Sequence, residues 1–144
     1  MIKLNVPIPD EEIRKLKVGD TVALSGTIVT ARDEAHKLMV EERPDFIRDV
    51  LKESVIYHCG PVVRKDDQGK WHFVSAGPTT SAREEPYQAD VVCEYNVRGV
   101  IGKGGMGAKT AEGLQKCGAV YFHAVGGAGT LIANAVKDVE TVYK

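Results

Sequence analysis

The chain has 144 residues and a mass of 15.6 kDa, with 43% hydrophobic and 27% charged residues, a size and apolar content that suit one domain with a buried core. Nineteen Lys+Arg against twenty Asp+Glu leave a net charge of -1, so the balance makes no electrostatic case for nucleic acid or an anionic membrane. The start, MIKLNVPIPDEE, lacks the basic and apolar regions of a signal peptide, and no apolar run approaches the ~20 residues that span a bilayer; a cytoplasmic, reduced protein is the expectation.

Taken in chain order, residues 1–20 read as an edge segment broken by Pro7 and Pro9, then a short helix over Glu11–Leu16 that Asp10 can cap, then a turn at Val18-Gly19-Asp20. Thr21–Ala31 is rich in β-branched residues and interrupted by Ser25-Gly26; it reads as two short strands or one bulged strand. Arg32–Glu42 reads as a helix with Ala35, Leu38 and Met39 at helical spacing, and Phe46-Ile47 with Val50-Leu51 repeat that spacing beyond Pro44. Ser54–Cys59 and Pro61–Val63 are strand-like, Asp66–Gly69 is a polar hairpin turn, and Trp71–Ser75 is the returning strand. A unit of apolar strand, Gly-rich loop and helix then recurs three times: HFVSAG with PTTSAREE, RGVIG with KGGMGAKTAEGLQKCG, and AVYFHAVGG with AGTLIANAV. The fold class expected is α/β with a mixed sheet.

Two of these loops carry a cation beside backbone N–H groups with little bulk over them: Ser75–Glu84 with Arg83, and Val100–Gly107 with Lys103. Helix N-termini of this kind favour negative charge. Ser81 and Glu84 have the spacing of a capping box, which would start a helix at Ser81 and leave Thr79 and Thr80 in the turn before it. Gly102, Gly104, Gly105 and Gly107 let the second loop approach a ligand closely, in neither Walker A nor dinucleotide-binding order. The third loop, Val125–Thr130, has no cation and suits close helix–strand packing. At a further strand–helix junction, Arg32 points out of the sheet end, Asp33 can cap the helix, and His36 follows one turn on. His36 is either an acid or base or, more commonly in such a place, a surface histidine held by a neighbour. His58, His72 and His123 lie in strand-like runs and suit packing, and Cys59, Cys93 and Cys117, with no CxxC pair, read as buried free thiols. No metal site within the chain is suggested. From the residues alone, a non-catalytic binding module for a small dicarboxylate or phosphate stays open beside an enzyme.

The segments GDTVALSGTIVTARDEAHK, SAGPTTSAR, VIGKGGM and YFHAVGGAGTLIA, in that order, resemble the β subunit, or C-terminal domain, of class I iron–sulfur hydro-lyases of the fumarate hydratase and L-tartrate dehydratase type. The resemblance covers about residues 6–136. It implies one swivelling β/β/α domain over 1–144, whose further C-terminal segment in the family is missing after Thr141–Lys144. It implies reversible hydration of fumarate to malate, or dehydration of tartrate to oxaloacetate, with a [4Fe–4S] cluster held by a partner α subunit, in an α2β2 assembly. Carried over by motif, Arg32, Arg83 and Lys103, with Gly102 and Gly104, would bind the carboxylates of a C4 dicarboxylate. Thr79 would take the C3 proton, with Thr80 the adjacent alternative, and Asp33 and His36 would orient Arg32.

Overall fold

A computed structural model of the chain describes residues 2–124. The third glycine loop and the helix expected after it lie outside the described residues. The elements are β1 (Ile2–Val6), α1 (Asp10–Ile13), β2 (Val22–Gly26), β3 (Val29–Thr30), α2 (Asp33–Glu42), α3 (Arg48–Leu51), β4 (Val55–Tyr57), β5 (Val62–Lys65), β6 (Trp71–Ser75), α4 (Gln88–Tyr95), β7 (Gly99–Gly102), α5 (Ala108–Cys117) and β8 (Val120–His123). Short 3₁₀ turns occupy Asp45–Ile47 and Ser81–Glu84.

Three sheets form. β3, β4, β7 and β8 make a four-stranded parallel sheet in that order, β1 and β2 a parallel pair, and β5 and β6 an antiparallel hairpin. The fold is thus α/β, as expected, but no described sheet is itself mixed: the parallel pairs and the antiparallel hairpin are separate sheets, because β5 and β6 pair only with each other. Thr21–Ala31 divides into two strands in different sheets, with Gly26 at a φ of 114° ending the first.

Sequential parallel strands that are also neighbours put every crossover on one face when the connections share one hand. The packing agrees. Ile56, Val100 and Tyr121 point to a core with Met39 of α2, Val91, Val92 and Tyr95 of α4, and Leu114 of α5. Their strand neighbours Val55, Ile101, Val120 and Phe122 point the other way, onto Leu4, Ile8, Ile13, Val22 and Leu24. The order of layers is therefore strand pair, four-stranded sheet, helices. Val55, Ile56, Val92, Val97 and Val100 are completely buried, and each such side chain stabilises the fold by roughly 1.5–3 kcal/mol. Buried Arg98 ties the layers at the strand starts: its guanidinium donates to the carbonyls of Ile8 and Gly118 and pairs with Asp10 and Glu53.

Several expectations need correction. Trp71–Ser75 does not open a strand–loop–helix unit of the main sheet; it closes a local hairpin with β5. The turn is organised by Asp66, whose carboxylate accepts from the N–H groups of Gln68 and Lys70 and pairs with His72 at 2.7 Å. Asp10 does not cap α1 but is its first residue, paired with Arg14 at 2.9 Å. On α2 the buried stripe is His36 and Met39, whereas Leu38 is exposed. Only Cys59 of the three cysteines is a buried free thiol; Cys93 and Cys117 form a disulfide between α4 and α5, with Cα atoms 5.5 Å apart. Their separation of 24 residues hid a contact made by close helix packing.

Gly113 allows that packing. A Cβ there would lie 2.7 Å from Ala89 Cβ and 3.0 Å from Ala89 Cα. Helix propensity alone favours Ala over Gly by about 0.8–1.0 kcal/mol, but overpacking costs about 1–3 kcal/mol. Gly113→Ala should therefore lower the urea midpoint, with a net loss of about 1 kcal/mol. A raised midpoint would mean that α4 and α5 are further apart than described.

Candidate functional site

In an open parallel sheet, ligands bind outside the carboxyl ends of the strands. Arg32 leaves the end of β3 as the N-cap of α2, His58, Cys59 and Gly60 follow β4, and Lys103 follows β7. The Gly77–Thr80 loop returns to the same edge and is fastened there by backbone. Thr79 N–H and Oγ1–H both donate to the His58 carbonyl, at 2.8 and 3.1 Å. Thr80 bridges Lys103 in parallel register, and Ser81 N–H donates to the Lys103 carbonyl at 3.0 Å. The structure thus brings the TARD, GPTTSAR and IGKGG segments to one rim.

Arg32, Arg83 and Lys103 are all exposed. Among the described residues none of the three side chains forms a salt bridge or a side-chain hydrogen bond. Arg32 is laid across the end of β4: a Cβ at Gly60 would overlap its Cδ and come within 2.7 Å of Nη1. Three unpaired cations on one rim, two of them capable of bidentate carboxylate recognition, suit a small anion with more than one carboxylate.

The N-terminus of α5 is spent otherwise. Glu85 caps α5, accepting from Gly107 N–H at 2.8 Å, Thr110 N–H at 3.3 Å and Thr110 Oγ1–H at 2.6 Å, and these bonds hold its carboxyl below the usual range against the opposing effect of burial. The capping box of Ser81 and Glu84 does not form; Thr80 is the N-cap of a 3₁₀ turn and makes no side-chain cap bond. Asp33 likewise is the first residue of α2, with no side-chain cap at Arg32. Gly102 is buried, and a Cβ on it would collide with Ser81 Oγ and lie 2.9 Å from His58 Nδ1. Its smallness serves the packing of this rim, whereas Gly104, at a φ of 82°, is exposed at its surface.

Under the rim lies a buried polar chain that the sequence reading did not find. His36 is fully buried rather than on the helix surface, and His58 and Gln88 are fully buried with it. His36 Nδ1 is 2.8 Å from the Arg32 carbonyl, and Gln88 Oε1 stands 3.0 Å from His36 Nε2 and 2.5 Å from His58 Nε2. His58 Nδ1 is 2.8 Å from Ser81 Oγ, which is 3.0 Å from the Tyr121 hydroxyl, and that hydroxyl accepts from Gly105 N–H at 3.3 Å. Burial lowers the pKa of both histidines, that of His58 to about 4. Neutral His36 must donate Nδ1–H to the carbonyl, so its Nε2 accepts. The carboxamide of Gln88, whose two ends exchange by a half-turn, then presents NH₂ to both rings. His58 Nδ1–H donates to Ser81, and the chain runs from Arg32 to the glycine loop. His72 and His123 take no part: one pairs with Asp66 and the other is exposed. A histidine directly after the apolar run Val55–Tyr57 was the available signal.

Among the described residues no group of three or more His, Cys, Asp and Glu could hold a metal ion, and no helix is long and apolar enough to cross a membrane. Burial pushes the Cys59 thiol up to about 11.

Fold and rim together define an α/β domain with a cation-lined strand-end site. The chain matches the family model described as Fumarase C-terminus over residues 1–143, and it belongs to that family. It is 49% identical over 142 residues to a putative fumarate hydratase class I of Geobacillus stearothermophilus, an alignment covering 99% of this chain and 27% of the relative. It is 40% identical over 140 residues to the L(+)-tartrate dehydratase subunit beta of Escherichia coli K12, covering 97% of this chain and 69% of the relative. A putative L(+)-tartrate dehydratase subunit beta of Methanocaldococcus jannaschii is 42% identical over 135 residues, covering 92% and 69%. The chain thus spans about a quarter of the length of the first relative and about two thirds of the other two.

The buried chain makes a pH prediction. Between the ordinary histidine value of 6.5 and about 4, the unfolded chain binds a proton at position 58 that the folded chain does not. Stability is therefore lost as pH falls through that window, by up to about 3 kcal/mol from this residue. Thermal unfolding of His58→Asn, followed by circular dichroism, should show a shallower loss between pH 6.5 and 4 than the parent. Parallel curves would mean that His58 is not held neutral.

Proposed function

We propose that this chain is the substrate-carboxylate-binding β component of a hydro-lyase that reversibly hydrates fumarate to malate, with dehydration of L-tartrate to oxaloacetate as the second substrate reading. The observation that carries this is the rim on which Arg32, Arg83 and Lys103 stand exposed and unpaired by other described residues. The names of the relatives support the reaction class, and the higher identity to the relative named as a fumarate hydratase supports fumarate first. The whole chain, 1–144, would act as one β/β/α domain that swivels against a partner α subunit, in an α2β2 cytoplasmic enzyme.

The [4Fe–4S] cluster implied by the family resemblance does not fit the described residues of this chain. Cys93 and Cys117 are bonded to each other, Cys59 is buried with a raised pKa, and no three-residue ligand group occurs. We assign it to the α partner and derive no step through it. This chain's own part is charge and position. Arg32, Arg83 and Lys103 would hold a C4 dicarboxylate at both ends and stabilise the anionic intermediate. Thr79 Oγ1 donates to the His58 carbonyl at rest. As base it would first give up that proton, the rim cations lowering the cost of the alkoxide; it would then take the proton from C3 to leave the anion those cations stabilise, and hydroxide would depart from C2 toward the α partner as the double bond forms. Thr80, exposed beside it, is the alternative. Asp33 and His36 would steady Arg32, His36 through the Arg32 carbonyl. The carbonyl of buried Gly102 accepts from Ala124 N–H at 2.8 Å; Gly102 and Gly104 shape the lysine loop.

The test is anaerobic co-expression with an α-type partner and assay of fumarate, malate and tartrate isomers. Arg83→Met or Lys103→Met should lower kcat/KM by roughly 10- to 100-fold each, the loss of one charge-assisted hydrogen bond. Gly60→Ala, which displaces Arg32 without removing it, should raise KM. Unchanged kinetics in all three variants would move the site elsewhere, and dicarboxylate binding without turnover would favour a non-catalytic binding module.

A further inference from the structure

Glu84 is left without a role by the proposed site, although it ends the turn that carries Arg83. Its side chain is turned inward. The residue is 1% exposed, and Oε2 is buried with no hydrogen-bond partner among the described residues. The nearest ring nitrogen, His58 Nδ1, is 3.9 Å away and already bonded to Ser81 Oγ at 2.8 Å. The charges acting on the carboxyl are Asp33 and Arg32 from the start of α2 and Arg83 from its own turn. His36 of α2 stands behind His58, the ring centroids 5.3 Å apart, and α4 contributes the uncharged Gln88. Lys103 belongs to the loop that accepts Ser81 N–H.

An ionised carboxylate without partners is far costlier to bury than a carboxylic acid. Burial, with Asp33 adding to it, raises the pKa of Glu84 to about 7 against the pull of its own N–H, Arg32 and Arg83. The two cations that favour its ionised form are the two arginines assigned to the substrate.

We propose that Glu84 is a positioning residue whose charge governs the arginines of the rim. With the proton on, it leaves Arg32 and Arg83 to a substrate carboxylate; with the proton off, it draws the guanidinium groups toward itself and repels the incoming dianion. This rests on the dicarboxylate reading of the site. Affinity for a C4 dicarboxylate then falls as pH rises through neutrality, while bound dicarboxylate favours the protonated acid.

Two measurements test it. In the full chain labelled with ¹³C at glutamate Cδ, the resonance lost in Glu84→Gln should titrate with a midpoint near 7, as its raised pKa requires. A midpoint in the ordinary glutamate range overturns the proposal, and Glu84→Asp serves the assignment if the Gln variant does not fold. In the complex with the α-type partner, calorimetry with L-malate at pH 6 and 8 should show affinity falling by about tenfold in the parent, and staying level in Glu84→Gln. Binding that weakens equally in both overturns the role of Glu84 and leaves the dicarboxylate site standing. Absence of malate binding by either protein at either pH overturns both.

Discussion

The rim depends on one carboxamide. Gln88 is the first residue of α4, and among the described residues its side chain is the hydrogen-bonding link between the two buried imidazoles. Through His36 it holds the carbonyl at the start of α2, and through His58 it holds the end of β4, Ser81 and Tyr121. Each of those groups is needed to place a different cation-bearing segment. A buried polar chain of this kind is worth most when its members are satisfied, because a buried group left unpaired costs about 1–3 kcal/mol, more than the roughly 0.5–1.5 kcal/mol a bond contributes. The neutral state of the rings is therefore part of the architecture. Charging one would leave two donors facing each other across the carboxamide.

The same economy explains why the cations above are unpaired by other described residues. The two acids that follow Arg83 are committed elsewhere: Glu85 to the N-terminus of α5, and Glu84 to the interior. Positive charge concentrated on a rim without counter-ions is unfavourable to the folded chain. It persists because the backbone bonds among Thr79, Ser81, His58 and Lys103 fix the loops that carry it. An anion bound there would relieve that repulsion.

Much of this was legible in the residues, for reasons that differ by scale. The hairpin at Asp66–Gly69 and the helix after Arg32 are local, written in turn residues and spacing. The placing of Arg32 and Lys103 at strand ends followed from where apolar runs stop. What stayed hidden depends on partners distant in sequence. Ser81 and Glu84 match a capping box, yet the serine is claimed by His58 and the glutamate by the interior, so tertiary contacts displaced a local motif. Glu85 reached across 22 residues to cap α5. His36 read as a surface residue because nothing local reveals that α4 covers it.

That capping bond has a mechanical consequence. Glu85 is two residues from Arg83, and the N–H it accepts belongs to Gly107, at the far end of the loop that starts with Lys103. With Thr80 bridged to Lys103 at the near end, the arginine turn and the lysine loop are pinned at two points and travel as one piece. The backbone mounts of these two charges behave like a fixed jaw. Under the proposed reading, a diacid of the wrong span would have to be met by bending long side chains, since the loops that bear them have no independent stroke.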